Sequence, residues 1–316
     1  MDHDVPNGSL TLNPAQRALV EDLLSRCTFP AAGTAVRCAV SGGPDSMALV
    51  ALAVAAGCAV TAVHVDHGLR EGSAGEAAVV RAAAQRFGAA YESTRVEVGD
   101  GPNLEARARA ARHEALGPTA LLGHTADDQA ETVLWFLMRG TGPTGLAGID
   151  PERRPILGLR RAETVALCAA LDLDTVDDPS NEDPRFTRNR IRRELLPLMA
   201  DIAQRDVVPL LANAARLQRE LLDEVGPLGD HLDPTDARAL AAAGRTVAIA
   251  ALHRWWCETT GLAYTPDARA TERMLEVARG EAPRHDVVAG WSLHRRDQRL
   301  RLEPPGRGWR RLDGRS

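Results

Sequence analysis

Ala35-Val36-Arg37-Cys38-Ala39-Val40-Ser41-Gly42-Gly43-Pro44-Asp45-Ser46, followed by the apolar run Met47 to Ala56, is the stretch that decides the fold. An apolar strand runs into a tight glycine turn and out into a helix. Such a turn aims backbone N–H groups and a helix N-terminus at one point, which suits an anion. Two adjacent glycines let the backbone approach a phosphate with no Cβ in the way. Ser41 and Ser46 add hydroxyl donors. The Asp45 carboxylate suits Mg²⁺ held against phosphate oxygens. Taken alone, the same residues also serve a purely structural strand-to-helix turn.

Composition narrows the chemistry. At 316 residues the chain is long enough for a full core and two domains. Aromatics make up only 3%, so the core must come mainly from Ala, Val and Leu. The formal charge of −5 gives no bulk attraction to nucleic acid, so any RNA contact must use local arginine clusters. The chain has no lysine, which excludes a Walker A loop and any lysine Schiff base or general base. Its five cysteines are scattered, with no C-x-x-C pair, so neither a disulfide framework nor a zinc or iron–sulfur site is suggested. Residues 1–10 are polar and acidic rather than signal-like, and no apolar run reads as a membrane span. A cytoplasmic protein is expected.

From about 35 to 125, apolar strands alternate with helical patterns. Ala59 to Val65 reads as a second strand, Ser73 to Gly88 as a helix, Tyr91 to Val98 as a third strand. Leu104 to Leu116 reads as a helix and Thr119 to Leu122 as a fourth strand. The expected fold is α/β: a parallel sheet flanked by helices, with ligands outside the carboxyl ends of the strands. Thr125 to Arg139 reads as a helix that buries Ala130, Val133, Leu134, Leu137 and Met138, with Thr125 as cap and Asp128 three residues on. Arg161 to Leu171 and Thr187 to Met199 read as further helices. Beyond about Leu222 the pattern becomes mainly helical, over 234–243, 247–260 and 266–279, and ends in a hairpin around Asp297-Gln298. The expected division is a domain of residues 1–221, with its core at 35–200, and a smaller C-terminal domain of residues 222–316.

Polar residues crowd the strand ends. After the second strand comes His64-Val65-Asp66-His67-Gly68-Leu69-Arg70. His64 and His67 have the spacing of a weak metal pair, but no partner completes a site, and a structural or nucleotide-packing role is preferred. After the fourth strand, Gly123 to Thr132 contains Asp127, Asp128 and Glu131. Asp128 and Glu131 are neighbours on one helix face. They suit Mg²⁺, an ammonium group or a proton, or simply complement the helix dipole. Arg109 and Arg112 share a helix face, and Arg185, Arg188, Arg190, Arg192 and Arg193 form the best local cluster for phosphate or RNA. Solvated helix faces would explain both sets as well.

In this order and at these intervals, SGGPDS (41–46), HVDHGLR (64–70), LEARARAARHEAL (104–116), GHTADDQAETVL (123–134) and DPSNEDPRFTRNRIR (178–192) resemble the tRNA(Ile)-lysidine synthetases, a branch of the PP-loop ATP pyrophosphatases. SGGxDS alone also fits argininosuccinate, NAD and GMP synthetases and tRNA thiolation enzymes. The resemblance implies an ATP-dependent ligase. ATP adenylates the wobble cytidine of a CAU anticodon in a minor tRNA(Ile), and free L-lysine then displaces AMP to form lysidine. It implies ATP as co-substrate with Mg²⁺, and a homodimer as the assembly. Ser41, Gly42, Gly43, Pro44, Asp45 and Ser46 would hold the pyrophosphate end of ATP, with Asp45 sharing Mg²⁺. His64 and Asp66 would border the adenosine. Asp128 and Glu131 would hold lysine, Arg112 would stabilise developing charge, and Arg188 and Arg192 would face phosphate or RNA. His113 stands where the family often has tyrosine, so no role is carried over there. The chain resembles the shorter family form, which places much of the tRNA contact beyond residue 222. A thiolase of the same fold is the nearest rival, and its usual cysteine pairs are missing. A non-catalytic nucleotide-binding module is the second, and it leaves the acid-rich helix start without a task.

Overall fold

The computed structural model describes residues 12–66, 73–96, 115–176, 183–262 and 265–305. The second half of the His64–Arg70 motif, residues 104–114 of the helix expected over 104–116 with Arg109, Arg112 and His113, and the tail from residue 306 lie outside them. The described chain forms two compact units.

The first unit comprises residues 1–131 and 149–209. It opens with α1 (Pro14–Leu24), whose Asn13 and Gln16 form a reciprocal capping box. Three parallel strands follow, β1 (Ala35–Ala39), β2 (Ala59–Asp66) and β3 (Ala90–Arg95), in the order β1-β2-β3. Crossover helices α2 (Pro44–Ala55) and α3 (Ser73–Arg86) join them. Every residue of α2 from Ser46 to Ala53 is buried, which accounts for its unbroken apolar sequence. Cys38, Leu49, Leu52, Phe87, Ile156, Leu159, Leu167 and Leu171 belong to the same core.

The expected fourth strand shrinks to one parallel bridge, Cys38 to Leu121. The Leu121 N–H donates to Arg37 and its carbonyl accepts from Ala39, while the Leu122 N–H, on the other side of the chain, donates to Arg153. Residues 118 and 119 are still in a turn and Gly123 already leads towards the next helix, so pairing is confined to Leu121. The bridge still puts Gly123 beside the Ser41 turn, on the open side of β1. Strand order reverses there, which is where open α/β sheets bind ligands.

α4 (Ala126–Met138) starts just after Gly123. Its burial ends at Leu134: Leu137 and Met138, expected in the core, are 54% and 55% exposed. A short α5 (Pro143–Leu146) precedes α6 (Arg161–Ala170). The single helix expected over 187–199 is three pieces: α7 (Thr187–Arg190), a π turn (Ile191–Leu195) and α8 (Leu196–Ala203). Pro197 offers no N–H to the preceding turn, and the Leu196 N–H reaches back to Ile191, so the helix widens before the proline. α9 (Val208–Asp230) follows.

The second unit comprises residues 132–148 and 210–316. It contains α10 (Ala237–Ala242), α11 (Arg245–Thr260) and α12 (Ala268–Arg279) around Trp256, Leu252 and Met274. The hairpin is present as β5 (Ser292–Arg296) and β6 (Arg299–Glu303), turning at Asp297 and Gln298, both with positive φ. A third strand, β4 (Arg284–Asp286), pairs antiparallel with β5. Its three polar residues gave no strand signal.

Candidate active site

Three helix N-termini converge in the first unit. The Ser41 turn shapes the first. Gly42 has φ +88°, and a Cβ there would stand 2.8 Å from the Val176 side chain. The Ser46 hydroxyl receives the Ser41 N–H at 3.2 Å and donates to the Gly43 carbonyl at 2.9 Å. It thus folds the turn from inside, while Ser41 Oγ lies 3.3 Å away. Gly43 is the N-cap of α2 and supplies no side-chain cap, so the positive helix end faces outward above Pro44 and Asp45.

α4 brings the acids. The Thr125 N–H and hydroxyl donate to Asp128 Oδ2 at 2.8 and 3.0 Å, which leaves Oδ1 directed at arginine. Asp128 therefore serves its own helix start and the site together. Glu131 is buried at 1% exposure. Arg192, carried by the π turn, forks onto it with Nε at 2.5 Å and Nη2 at 3.1 Å. Burial pushes the Glu131 carboxyl above its ordinary range, and Arg192 opposes this without cancelling it.

α6 brings cations that the sequence reading did not single out. Arg161 donates from Nε to Asp45 Oδ2 and from Nη2 to Asp128 Oδ1, each at 3.1 Å. The Thr164 hydroxyl donates to Asp45 Oδ1 at 2.5 Å. Burial holds Asp45 above its ordinary value despite Arg161 and Thr164. Arg160 forks onto Asp127, with both bonds at 3.0 Å, and also pairs with Asp206. Burial would raise Asp127, but hydrogen bonds from Arg160 and the Arg161 backbone outweigh it and hold the carboxyl below its usual value. One signal for these residues was in the sequence. Arg160 and Arg161 stand at a helix N-terminus, where cations oppose the dipole, so they call for anions nearby.

A cavity of about 250 Å³ opens beside this cluster. Asp127, Glu131, Arg160, Arg161 and Arg192 form its charged wall, and Leu196, Pro197 and Val208 lie on its apolar side. It suits a ligand that carries both charged and aliphatic parts.

The remaining candidates lie elsewhere. His64 is buried, with Nδ1 2.9 Å from the Val40 carbonyl, and its Nε2 has no hydrogen-bond partner among the described residues. Asp66 ends β2 beside Arg95. Arg188 is exposed on α7, away from the cavity wall, whereas Arg192 turns inward. Among the described residues no cluster of three or more His, Cys, Asp or Glu could hold a metal by itself. Asp45 still fits Mg²⁺, which commonly takes one or two carboxylates together with substrate phosphates.

Residues 16–199 match the PP-loop domain family. The tRNA(Ile)-lysidine synthase of Nocardia farcinica is 42% identical over 277 residues, covering 80% of this chain and 85% of that protein. Its counterpart from Salinispora tropica is 40% identical over 301 residues, covering 85% and 90%. Among solved structures, the U34-tRNA thiolase NcsA from Methanococcus maripaludis superposes with a TM-score of 0.50 at 15% identity, over 69% of this chain and 80% of that one, a likeness of fold. With more than half of the chain matched by the PP-loop model and these relatives matched along most of their length, the chain belongs to the tRNA(Ile)-lysidine synthase family of PP-loop proteins.

Proposed function

We propose that this protein joins L-lysine to the wobble cytidine of a tRNA(Ile) bearing a CAU anticodon, at the expense of ATP, and so makes lysidine. One observation carries the reading. Arg161 bonds both Asp45 on the phosphate turn and Asp128 on the acid-rich helix, so a nucleotide phosphate and an amine would meet within one side chain's reach.

The Ser41–Ser46 turn and the start of α2 hold the β- and γ-phosphates, which become the leaving pyrophosphate. Asp45 would hold Mg²⁺, which when bound neutralises charge on the phosphate oxygens. The cytosine carbonyl oxygen attacks the α-phosphorus and pyrophosphate departs. The lysine ε-nitrogen then attacks the ring carbon bearing that oxygen, and AMP leaves with it. Asp128 and Glu131 hold the ammonium group. Glu131, whose carboxyl burial pushes above its ordinary range, is a better proton acceptor than an ordinary carboxylate and takes the proton that the amine must lose. Leu196, Pro197 and Val208 line the space for the aliphatic stem. Arg112 lies outside the described residues, and its charge-stabilising role rests on the family motif. Exposed Arg188 and the arginines of the second unit are the proposed tRNA contacts, and a second copy of the chain completes the assembly. No helix among the described residues is long and apolar enough to cross a membrane, and cytoplasmic residence belongs to this proposal.

The test is direct. Purified protein with ATP, Mg²⁺, labelled lysine and the tRNA will incorporate label. ATP binding without incorporation would favour the non-catalytic module. Asp45→Ala and Glu131→Ala will each abolish incorporation in a folded protein, and near-normal rates in either would overturn the site assignment.

A further inference from the structure

Arg161 occupies a position that the reaction itself must contest. Its guanidinium bonds Asp45, the carboxylate assigned to Mg²⁺, and Asp128, a carboxylate assigned to the amine. Both incoming cations need oxygens that Arg161 now uses. Arg192 is held differently, by a close fork on buried Glu131, and Arg160 by a fork on Asp127. Forked pairs are the stronger kind. Arg161 makes one 3.1 Å bond to each of two separate carboxylates, so of the three it is the side chain held least firmly. Its backbone stays fixed in any case, because the Arg161 N–H donates to Asp127 Oδ2 at 2.8 Å. The guanidinium can therefore swing without moving α6.

Charge supplies the direction of the swing. Asp45, Asp128 and Glu131 face Arg161 and Arg192, leaving one negative charge in excess when all are ionised. A nucleotide delivered to the Ser41 turn places several negative oxygens beside Asp45. A guanidinium prefers that phosphate, and Mg²⁺ takes over Asp45. Asp128 then loses its nearest cation, with Arg192 remaining 3.7 Å away, and its Oδ1 opens to an ammonium group.

We propose that Arg161 is the positioning residue that couples the two substrates: nucleotide phosphate draws it off Asp128, so that ATP binding prepares the amine pocket. The inference rests on the ligase reading above. Coupling of this kind is reciprocal, so lysine must tighten nucleotide binding by the same factor.

Calorimetric titration of L-lysine into the full chain, with and without Mg²⁺ and α,β-methylene-ATP, tests it. In the wild type the nucleotide analogue will tighten lysine binding at least tenfold. In Arg161→Gln the ratio will fall to within twofold of one, and lysine alone will bind more tightly than it does to the wild type. A merely structural role would weaken lysine binding in both conditions. Arg161→Lys keeps the charge but replaces the planar fork with a compact ammonium on a shorter reach; its ratio will drop at least threefold, and it carries the test if Arg161→Gln fails to fold. A wild-type ratio near one, or an unchanged ratio in whichever variant folds, overturns the proposal. Lysidine formation by the wild type is measured alongside. Turnover without coupling defeats this inference alone, whereas no turnover defeats the ligase reading and this inference with it.

Discussion

Gly123 and Asp45 touch through their backbones: a Cβ at 123 would stand 2.8 Å from the Asp45 carbonyl oxygen and 3.0 Å from its carbon. Neither atom belongs to a flexible side chain, so neither can give way cheaply. This contact sets the start of α4 against the first turn of α2, and with it the distance between the amine-binding acids and the phosphate turn. Gly123→Ala should therefore cost about 1–3 kcal/mol through overpacking. It should also lower the rate of lysidine formation at saturating substrates more than it weakens nucleotide binding. Urea denaturation and turnover check the two effects, and wild-type values in both would mean that the backbones are not in tight contact.

Gly42 is constrained twice, by φ +88° and by the Val176 side chain. Left-handed backbone costs a residue with a Cβ roughly 1–2 kcal/mol, and the steric contact adds to it. Gly42→Ala should weaken binding of a fluorescent ATP analogue at least tenfold. Adding Val176→Ala removes the steric part and leaves the backbone part, so the double variant should recover some affinity but not all. Full recovery would show that the backbone conformation is not strained by alanine.

The phosphate turn was legible because glycine, serine and aspartate each have a local reason to stand there. Asp128 and Glu131 were legible because their spacing places them on one helix face. Arg161 and Thr164 were not: they are 116 and 119 residues from Asp45 in sequence, and only the fold makes them its neighbours. The π turn at Ile191–Leu195 was equally hidden. A helical pattern shows which residues share a face, but not where one added residue per turn redirects an arginine. Strand four read too long because its apolar residues suit a strand, while the turn at 118–119 and the approach to α4 leave only Leu121 to pair with β1. In each case local propensity was outweighed by a distant partner.

In the second unit, His253 places Nε2 2.8 Å from the Thr271 hydroxyl, which itself donates to the Pro266 carbonyl. The hydroxyl oxygen is then left to accept from the His253 Nε2–H. Burial lowers the His253 pKa from 6.5 to about 4. The unfolded chain thus takes up the proton first, and the folded state loses stability as the pH falls from about 6.5 towards 4. A full shift of this size is worth at most roughly 3 kcal/mol, less where the ring edge meets solvent. His253→Gln keeps a donor and should flatten this slope in urea melts followed by tryptophan fluorescence at pH 7 and 4.5. An unchanged slope would assign the acid sensitivity to another group.

Asp127 and Glu131 should respond to pH with opposite signs. Asp127 sits below its ordinary value, so its stabilising contribution is complete above that value and is lost as pH falls through the lowered one. Glu131 sits above its ordinary value, so the folded state binds its proton more tightly. Its environment favours folding most at low pH, and that advantage is lost as pH rises through the raised value. Asp127→Asn should accordingly remove stability chiefly at neutral pH, whereas Glu131→Gln, which leaves Arg192 without its fork, should cost less stability at pH 7 than at pH 5 while abolishing turnover. Chemical denaturation at pH 5 and 7 separates the two, and matching pH slopes for both variants would contradict the assignment.

Arg192→Met isolates the cost of leaving Glu131 buried without its partner. Removing one member of a buried ion pair typically costs about 3–5 kcal/mol, because the remaining charge is stranded. Glu131 has an escape, since its carboxyl is already pushed upward by burial and can take a proton instead. The loss in Arg192→Met should therefore be large at pH 8 and shrink as the pH is lowered, as proton uptake replaces the missing guanidinium. Glu131→Gln in the same chain removes the stranded charge and should restore most of the stability at pH 8. If the double variant is as unstable as Arg192→Met at that pH, the arginine acts by packing its stem over the π turn rather than by holding Glu131. The fork at 2.5 and 3.1 Å would then be incidental to the fold.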